Sequence, residues 1–478
     1  MSNQNFIVVM LDTLRADHVG AYGKEMAHTP NLDRFASTAM RFDKAYAASF
    51  PTIPNRTDLF TGRYGEPFHA WRPLSYMDVT LPEVMRKAGY ATQLIHDTPH
   101  LINYGFGFDR PFNCWWMIRG AEVDRCWTDH HKYPLPCKRD RLGKMAETYA
   151  IQYFRNIRNT PESEDNRFCA KVMTASSRWL QDNYKNDNFF LWIDCFDPHE
   201  PWDPPKKYVD MYDPGYEGQA LSLFFNKETI APRELEHIRA RYAAKVTMVD
   251  TWLGHLFTQI DQLGLSENTT VVVMSDHGTQ LGDHGNITKA GPMYEEVGRL
   301  TWMMRAPGIT KPGTSTDALA QPPDLMPTFL EIAELESDYT PQGKSLVPVL
   351  KGEDNKPRDF SISGVQRLYQ GFAHTAVNDG EWTYIKGHEP IGAMLFNVLE
   401  DPMQTKNLSN ECPEQFKRMH EGMIACYESM DTPDWLLECH KAGKIVCELP
   451  GLTPLELRMR DQMLSPNNFF AGEFEEYL

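Results

Sequence analysis

No stretch of this 478-residue chain is apolar for long enough to span a bilayer. The N-terminal MSNQNFIVVM holds too short an apolar run for a secretory signal, and no basic segment precedes it. CxxC pairs are absent too: the nine cysteines are odd in number and scattered, which fits reduced thiols better than a disulfide framework. These absences predict a cytoplasmic protein with no membrane partner. Positive charge is also scarce. Lys plus Arg is 48 against 65 Asp plus Glu, a net charge of −17, and a chain so charged repels nucleic acid and anionic lipid alike. A small anion is repelled at long range as well, so a local positive site must capture it. Repeats and low-complexity tracts are missing. What the chain does have is core material: 41% hydrophobic and 12% aromatic residues suffice for a large core and two domains. A homo-oligomer is compatible with this composition.

Three segments read as buried strands: Phe6 to Leu11, Phe189 to Ile193 and Thr270 to Met274. Each is a continuous apolar run rich in β-branched or aromatic residues, as in a sheet covered on both faces. Helical patterns lie between them. In TPNLDRFASTAM, Thr29 is placed to cap and Pro30 suits the first turn. In TLPEVMRKAGY, Thr80 and Glu83 have capping-box spacing and Gly89 ends the helix. This alternation predicts an α/β fold, a large mostly parallel sheet flanked by helices, over residues 1–360. After about residue 360 short strands and turns take over, with Asn378-Asp379-Gly380 as a hairpin signal. Residues 361–478 read as a smaller α+β domain with a short antiparallel sheet, a helix near Glu414 to Tyr427 and an irregular tail.

Each predicted strand runs straight into polar residues. The first ends at Asp12, the second in DCFDPHEPW with Asp194, Asp197 and His199, and the third in SDHG with Asp276 and His277. In open α/β sheets ligands bind at the carboxyl ends of strands. One Asp after a strand is ordinarily a turn or a cap; three such ends together point to a site. The segment SFPTIPNRTDLFTGRYG adds a helix start. There Thr52 reads as an N-cap ahead of Pro54, and a helix N-terminus stabilises both an alkoxide and an incoming anion. Arg56 lies one turn on.

These motifs together resemble the sulfatase family of the alkaline phosphatase superfamily. DTLRADHVGAYG followed by TPNLDRFA looks like the family's opening, TIPNRTDLFTGRYG its signature, and SDHGTQLGDHGNITKAGP its second metal motif with the lysine after it. PPDLMPTFLEIAEL and MLFNVLEDPMQTKNLS match later landmarks. The likeness runs through most of the chain in order, and is weakest from about Phe112 to Asn166 and after about Leu408. It implies that Asp12, Asp276 and His277 bind one divalent metal, with Thr52 as nucleophile and fourth ligand. Arg56 would orient the nucleophile, and Lys289 and His199 would contact the anionic head or leaving group. The Asp/Asp-His set resembles phosphonate monoester hydrolases, phosphodiesterases and choline sulfatases, and its imidazole favours Mn²⁺ or Zn²⁺ over Ca²⁺.

Two departures from the family matter. Thr52 stands where sulfatases carry the Cys or Ser that becomes formylglycine, so no formylglycine forms here. The family's Lys-x-His clamp is replaced by HDTPHL, leaving His96, Asp97, Thr98 and His100, each more ordinarily structural than catalytic. The expected activity is hydrolysis of a small anionic ester, a phosphodiester or phosphonate monoester, through a phospho-threonine. The alternatives are a sulfuric ester hydrolase, a degenerate binding protein, and a transferase of the kind that is ordinarily membrane-anchored. His284 reads as a loop residue rather than a ligand to a second metal. Trp115, Trp116 and Trp127 read either as a specificity pocket or as packing of an insertion.

Overall fold

A computed structural model describes residues 4–65, 71–122, 124–127, 134–138, 141–142, 144–157, 163–186, 188–220, 230–289, 291–353, 356–365, 374–387 and 392–441. The tail beyond 441 lies outside them. In chain order the strands are β1 (Asn5–Leu11), β2 (Met40–Phe42), β3 (Ala91–His96), β4 (Cys114–Met117), β5 (Phe189–Cys195), β6 (Thr269–Ser275), β7 (Gln280–Leu281), β8 (Ile287–Thr288), β9 (Trp302–Arg305), β10 (Thr314–Thr316), β11 (Ser361–Val365), β12 (His374–Asn378), β13 (Trp382–Lys386) and β14 (Ala393–Asn397). The main sheet has eight strands in the order β10-β2-β9-β6-β1-β5-β3-β4. Only β9 runs against the others. β1, β5 and β6 are the three strands read from the apolar runs, each one or two residues longer than the run itself.

Side-chain alternation builds a layer on either face. Ile7, Val9, Leu11, Leu191, Ile193, Val271 and Val273 point into one cluster with the helices Phe168–Asn183 and Pro232–Gln262. Phe6, Val8, Met10, Phe190, Trp192, Val272 and Met274 point into the other, against the helices Thr52–Thr61 and Leu325–Ile332. Both faces are dry, which is why these strands read as unbroken apolar runs rather than as alternating ones. Each such side chain contributes about 1.5–3 kcal/mol by leaving water.

A smaller four-stranded antiparallel sheet, β11-β12-β13-β14, follows. The Asn378-Asp379-Gly380 signal lies at the β12–β13 turn, where Gly380 takes a φ of +94°. Helix Pro413–Ser429 covers this sheet with Met419, Met423 and Tyr427, and Ala48 and Tyr64 join the same cluster. The sheet is also tied to the chain just before Thr52: Gly364 N–H donates to Ala48 O at 2.8 Å and Ser363 Oγ to Ala47 O. No helix among the described residues is long and apolar enough to cross a membrane. The described cysteines Cys114, Cys169, Cys195, Cys412 and Cys426 are free.

Local capping differs from expectation in three places. Thr29 does precede the helix Pro30–Ala36, but its side chain makes no cap; its hydroxyl instead accepts from Gly20 N–H at 2.8 Å. The cap is supplied from far away: Asp250 accepts from Asn31 N–H at 3.1 Å, Leu32 N–H at 2.8 Å and Asn31 Nδ2 at 2.9 Å. Thr80 forms no capping box, and Glu83 pairs with Lys87 at 2.8 Å instead. Pro51 rather than Thr52 holds the N-cap position of Thr52–Thr61.

Asp250→Ala leaves the buried Leu32 amide and the part-buried Asn31 amide without their acceptor. The variant should lose about 1–3 kcal/mol, read as a lower urea midpoint at unchanged m-value. An unchanged midpoint would rule out Asp250 as the cap.

Candidate metal and ester-binding site

The register brings the strand ends level. Leu11 pairs with Cys195 on one side and Ser275 on the other, and His96 pairs with Asp194. Asp12 and Asp276 therefore leave adjacent strands at one height, Asp194 sits two residues lower within β5, level with Met10 and His96, and all three are fully buried. Asp12, Asp276 and His277 each offer a ligand atom within 4.8 Å of the others. His277 Nε2 lies 3.4 Å from Asp276 Oδ2 and 3.9 Å from Asp12 Oδ1. Its Nδ1 lies 2.8 Å from Gly278 O, which only a donating N–H can satisfy. Nε2 is then a bare lone pair, buried without a hydrogen-bond partner. An unpaired buried nitrogen facing two carboxylates is costly in isolation and suits a divalent cation. Burial pushes the His277 pKa down to about 4, so it is neutral at pH 7, as a ligand must be. Burial, then the neighbouring Asp276, raises that of Asp12, another strain that a cation would relieve.

Arg56 threads between the carboxylates. Its Nε and Nη2 donate to Asp194 Oδ2 and Oδ1 at 3.1 and 3.0 Å, Nη2 sits 3.1 Å from Asp12 Oδ2, and Nη1 donates to Asp276 Oδ2. Against the cost of burial, this guanidinium holds Asp194 below the usual carboxylate range. Thr98 Oγ1 donates to Asp194 at 2.6 Å and Trp192 Nε1 at 3.2 Å.

Thr52 is the first residue of its helix and 3% exposed. Its neighbours on both sides touch the cluster. Phe50 packs on the His277 ring at 4.7 Å, and Asn55 Nδ2 donates to Asp276 O at 3.0 Å. Thr13 closes the other side. Its N–H donates to Asp276 Oδ1 at 2.9 Å and its hydroxyl to Asp12 Oδ1 at 2.7 Å. It does so at a φ of +66°, and Thr288, just before Lys289, adopts the same value. A β-branched residue there costs about 1–3 kcal/mol, which such fixed partners must offset.

Lys289 and His199 form the next part of the site. Lys289 Nζ donates to His199 Nε2 at 2.7 Å and to Glu200 Oε1 at 2.8 Å. His199 Nδ1 donates to Glu200 O at 2.6 Å. Burial, then Lys289, pushes the His199 pKa down to about 3, so this imidazole is neutral. The loop carrying His199 is held from behind by the buried Lys245, whose Nζ donates to His199 O at 3.0 Å and Pro201 O at 2.6 Å and pairs with Asp197 at 2.7 Å. Asp197 thus serves this strut, not the metal cluster.

The remaining candidates separate. His96, Asp97 and Thr98 are fully buried, and Asp97 accepts from Phe196 N–H at 2.7 Å. His100 is partly exposed, with Nε2 2.5 Å from Glu122 Oε2. His284 sits in a tight turn, stacked on Tyr294 at 3.7 Å, as the loop reading expects. Trp115 and Trp116 stand on the edge strand β4, each 48% exposed, so they are not core packing. Sequence reasoning missed Glu200 and Lys245. An acid immediately after His199 was the available signal for the first; nothing local marks the second.

The family model for sulfatases matches residues 4–335, and that for the C-terminal part of N-sulphoglucosamine sulphohydrolase matches 282–426. The chain belongs to the sulfatase family, within the alkaline phosphatase superfamily, and it is a hydrolase of that family. An arylsulfatase of Clostridium perfringens is 27% identical over 86% of this chain and 91% of its own. A choline-sulfatase of Rhizobium meliloti is 22% identical over 92% and 88%. The phosphonate monoester hydrolase of Agrobacterium radiobacter shares the fold, with a TM-score of 0.72 at 20% identity, over 89% of this chain and 96% of that one.

Asp12, Asp276 and His277 fit a divalent cation by donor type, burial and the unpaired Nε2. The purified protein should carry about one such ion per chain by elemental analysis, and Asp276→Ala should carry none while keeping its fold. Full metal content in Asp276→Ala would remove the cluster as the site.

Proposed function

We propose that this protein hydrolyses monoanionic phosphoesters, phosphodiesters or phosphonate monoesters, using the unmodified Thr52 as nucleophile. The observation that carries the reading is a threonine at the first position of a helix whose flanking residues touch both His277 and Asp276. Threonine has one hydroxyl and cannot become the aldehyde hydrate on which formylglycine sulfatases depend. Its ester with phosphate can be displaced in line by water.

In this reading Asp12, Asp276, His277 and Thr52 hold one divalent ion, and the His277 imidazole favours Mn²⁺ or Zn²⁺ over Ca²⁺. When bound, the ion supplies Lewis acidity to the nucleophile and to the ester oxygens. The protein's own groups do the rest. The helix start aims free N–H groups at the incoming anion. Thr52 Oγ gives up its proton to solvent and attacks phosphorus, the P–O bond to the leaving group breaks, and the leaving oxygen takes a proton. Lys289 is the donor beside it, held by His199 and Glu200. Arg56 keeps the ligand carboxylates apart and in place. Water then attacks phosphorus, the P–Oγ bond breaks, and a proton returns to Thr52 Oγ as the acid leaves.

Cleavage of sulfate esters without formylglycine is the second reading, favoured by the likeness to sulfatases. The comparison that decides is catalytic efficiency on matched nitrophenyl phosphodiester, phosphonate and sulfate, with residue 52 confirmed by mass spectrometry as threonine. The phosphorus esters should be clearly better. Thr52→Ala should lose on the order of a thousandfold in turnover, and Thr52→Ser should keep part of it. A clear preference for sulfate with Thr52 unmodified overturns the proposal.

A further inference from the structure

Lys289 does not meet the site as a bare ammonium. It is 5% exposed, and 2.8 Å from its Nζ lies Oε1 of Glu200, itself only 1% exposed. Glu200 is bound to His199 as well. Its backbone oxygen accepts from His199 Nδ1, and its Oε2 lies 3.6 Å from the same nitrogen. That Oε2 is buried without a hydrogen-bond partner. The carboxylate therefore does more than lock a lysine in place: it brings a full negative charge to a position poor in water, where screening is weak. Seen from a nearby anion, Lys289 and Glu200 nearly cancel. Glu122 adds to the effect. It is 7% exposed, pairs with His100, and feels both His199 and Lys289. Arg56 leaves no surplus either, since Asp12, Asp194 and Asp276 surround it.

We propose that Glu200 is a specificity residue: by cancelling the Lys289 charge it selects ester heads with one negative charge over heads with two. This rests on the reading above, in which Lys289 stands beside the reacting ester and so feels the charge of its head. Diesters, phosphonate monoesters and sulfate esters are monoanions, whereas a phosphate monoester at pH 8 is a dianion, its second pKa being about 6. The two classes differ by one unit charge. Several ångströms from a weakly screened carboxylate, that charge changes relative transition-state binding by about tenfold or more.

Glu200→Gln keeps the shape and an oxygen acceptor for Lys289 while removing the charge. With the metal-loaded full-length protein at pH 8, the ratio of kcat/KM for 4-nitrophenyl phosphate to that for bis(4-nitrophenyl) phosphate should rise about tenfold. Glu200→Asp, which keeps the charge, should leave the ratio near the wild-type value. Lys289→Gln should move it the other way. Competitive inhibition gives the same order as a binding measurement: methyl phosphate should gain on dimethyl phosphate in Glu200→Gln. A purely structural Glu200 predicts that both substrates fall together with their ratio unchanged, and that result overturns the proposal. If Glu200→Gln does not fold, Lys289→Gln decides, and a ratio that fails to drop is the overturning result. Should nitrophenyl sulfate prove the better substrate of the wild type, the phosphoester reading fails. The charge proposal is then still decided, with the sulfate as the monoanion in the ratio.

Discussion

A guanidinium with no exposure to solvent, Arg56, lies between three carboxylates delivered by three neighbouring strands. Asp12 follows β1, Asp194 is the last residue but one of β5, and Asp276 follows β6. Without the cation, three buried negative charges would stand within a few ångströms of one another. Without the carboxylates, the helix Thr52–Thr61 would carry a bare charge into the core. Removing one partner from such a set costs about 3–5 kcal/mol. This interaction fixes the height of the helix Thr52–Thr61 against the sheet. It also leaves Asp12 and Asp276 with oxygen atoms turned toward the unpaired Nε2 of His277.

Two further devices hold the site from outside. Thr13 adopts a strained backbone in which one residue binds both Asp12 and Asp276. Lys245, from the long helix Pro232–Gln262, draws in the loop of His199 and Glu200 through three contacts. The groups proposed to react thus sit on strand ends and a helix start, backed by buried polar groups. A site built this way is preorganised, so little needs to move when an anion enters.

Much of this was legible in the chain. Continuous apolar runs mark β1, β5 and β6 because both faces of the sheet are covered, and the polar residues after them had to emerge together once the strands paired in parallel. The Asp-Gly turn between β12 and β13 was legible for a local reason, the positive φ at Gly380. The caps fail for different reasons. Thr29, Thr52 and Thr80 all look like caps by local chemistry, yet Asp250 reaches Asn31 from across the fold, Pro51 takes the cap position before Thr52, and Glu83 turns to Lys87 on its own helix. Glu200 and Lys245 were missed likewise. Their importance lies in contacts with Lys289 and with the loop around His199, distant in sequence; beyond the acid next to His199, a single chain read in order carries no sign of them.

The central claim is that Thr52 becomes covalently attached to phosphorus. Rapid quenching of the metal-loaded enzyme with a phosphodiester whose phosphorus is isotopically labelled, followed by peptide mass spectrometry, tests it most directly. The account predicts a labelled phosphoryl-ester adduct on Thr52 that forms and decays at rates compatible with turnover and is absent from Thr52→Ala. Undiminished turnover by Thr52→Ala, or the label on another side chain of the wild-type enzyme, would contradict it.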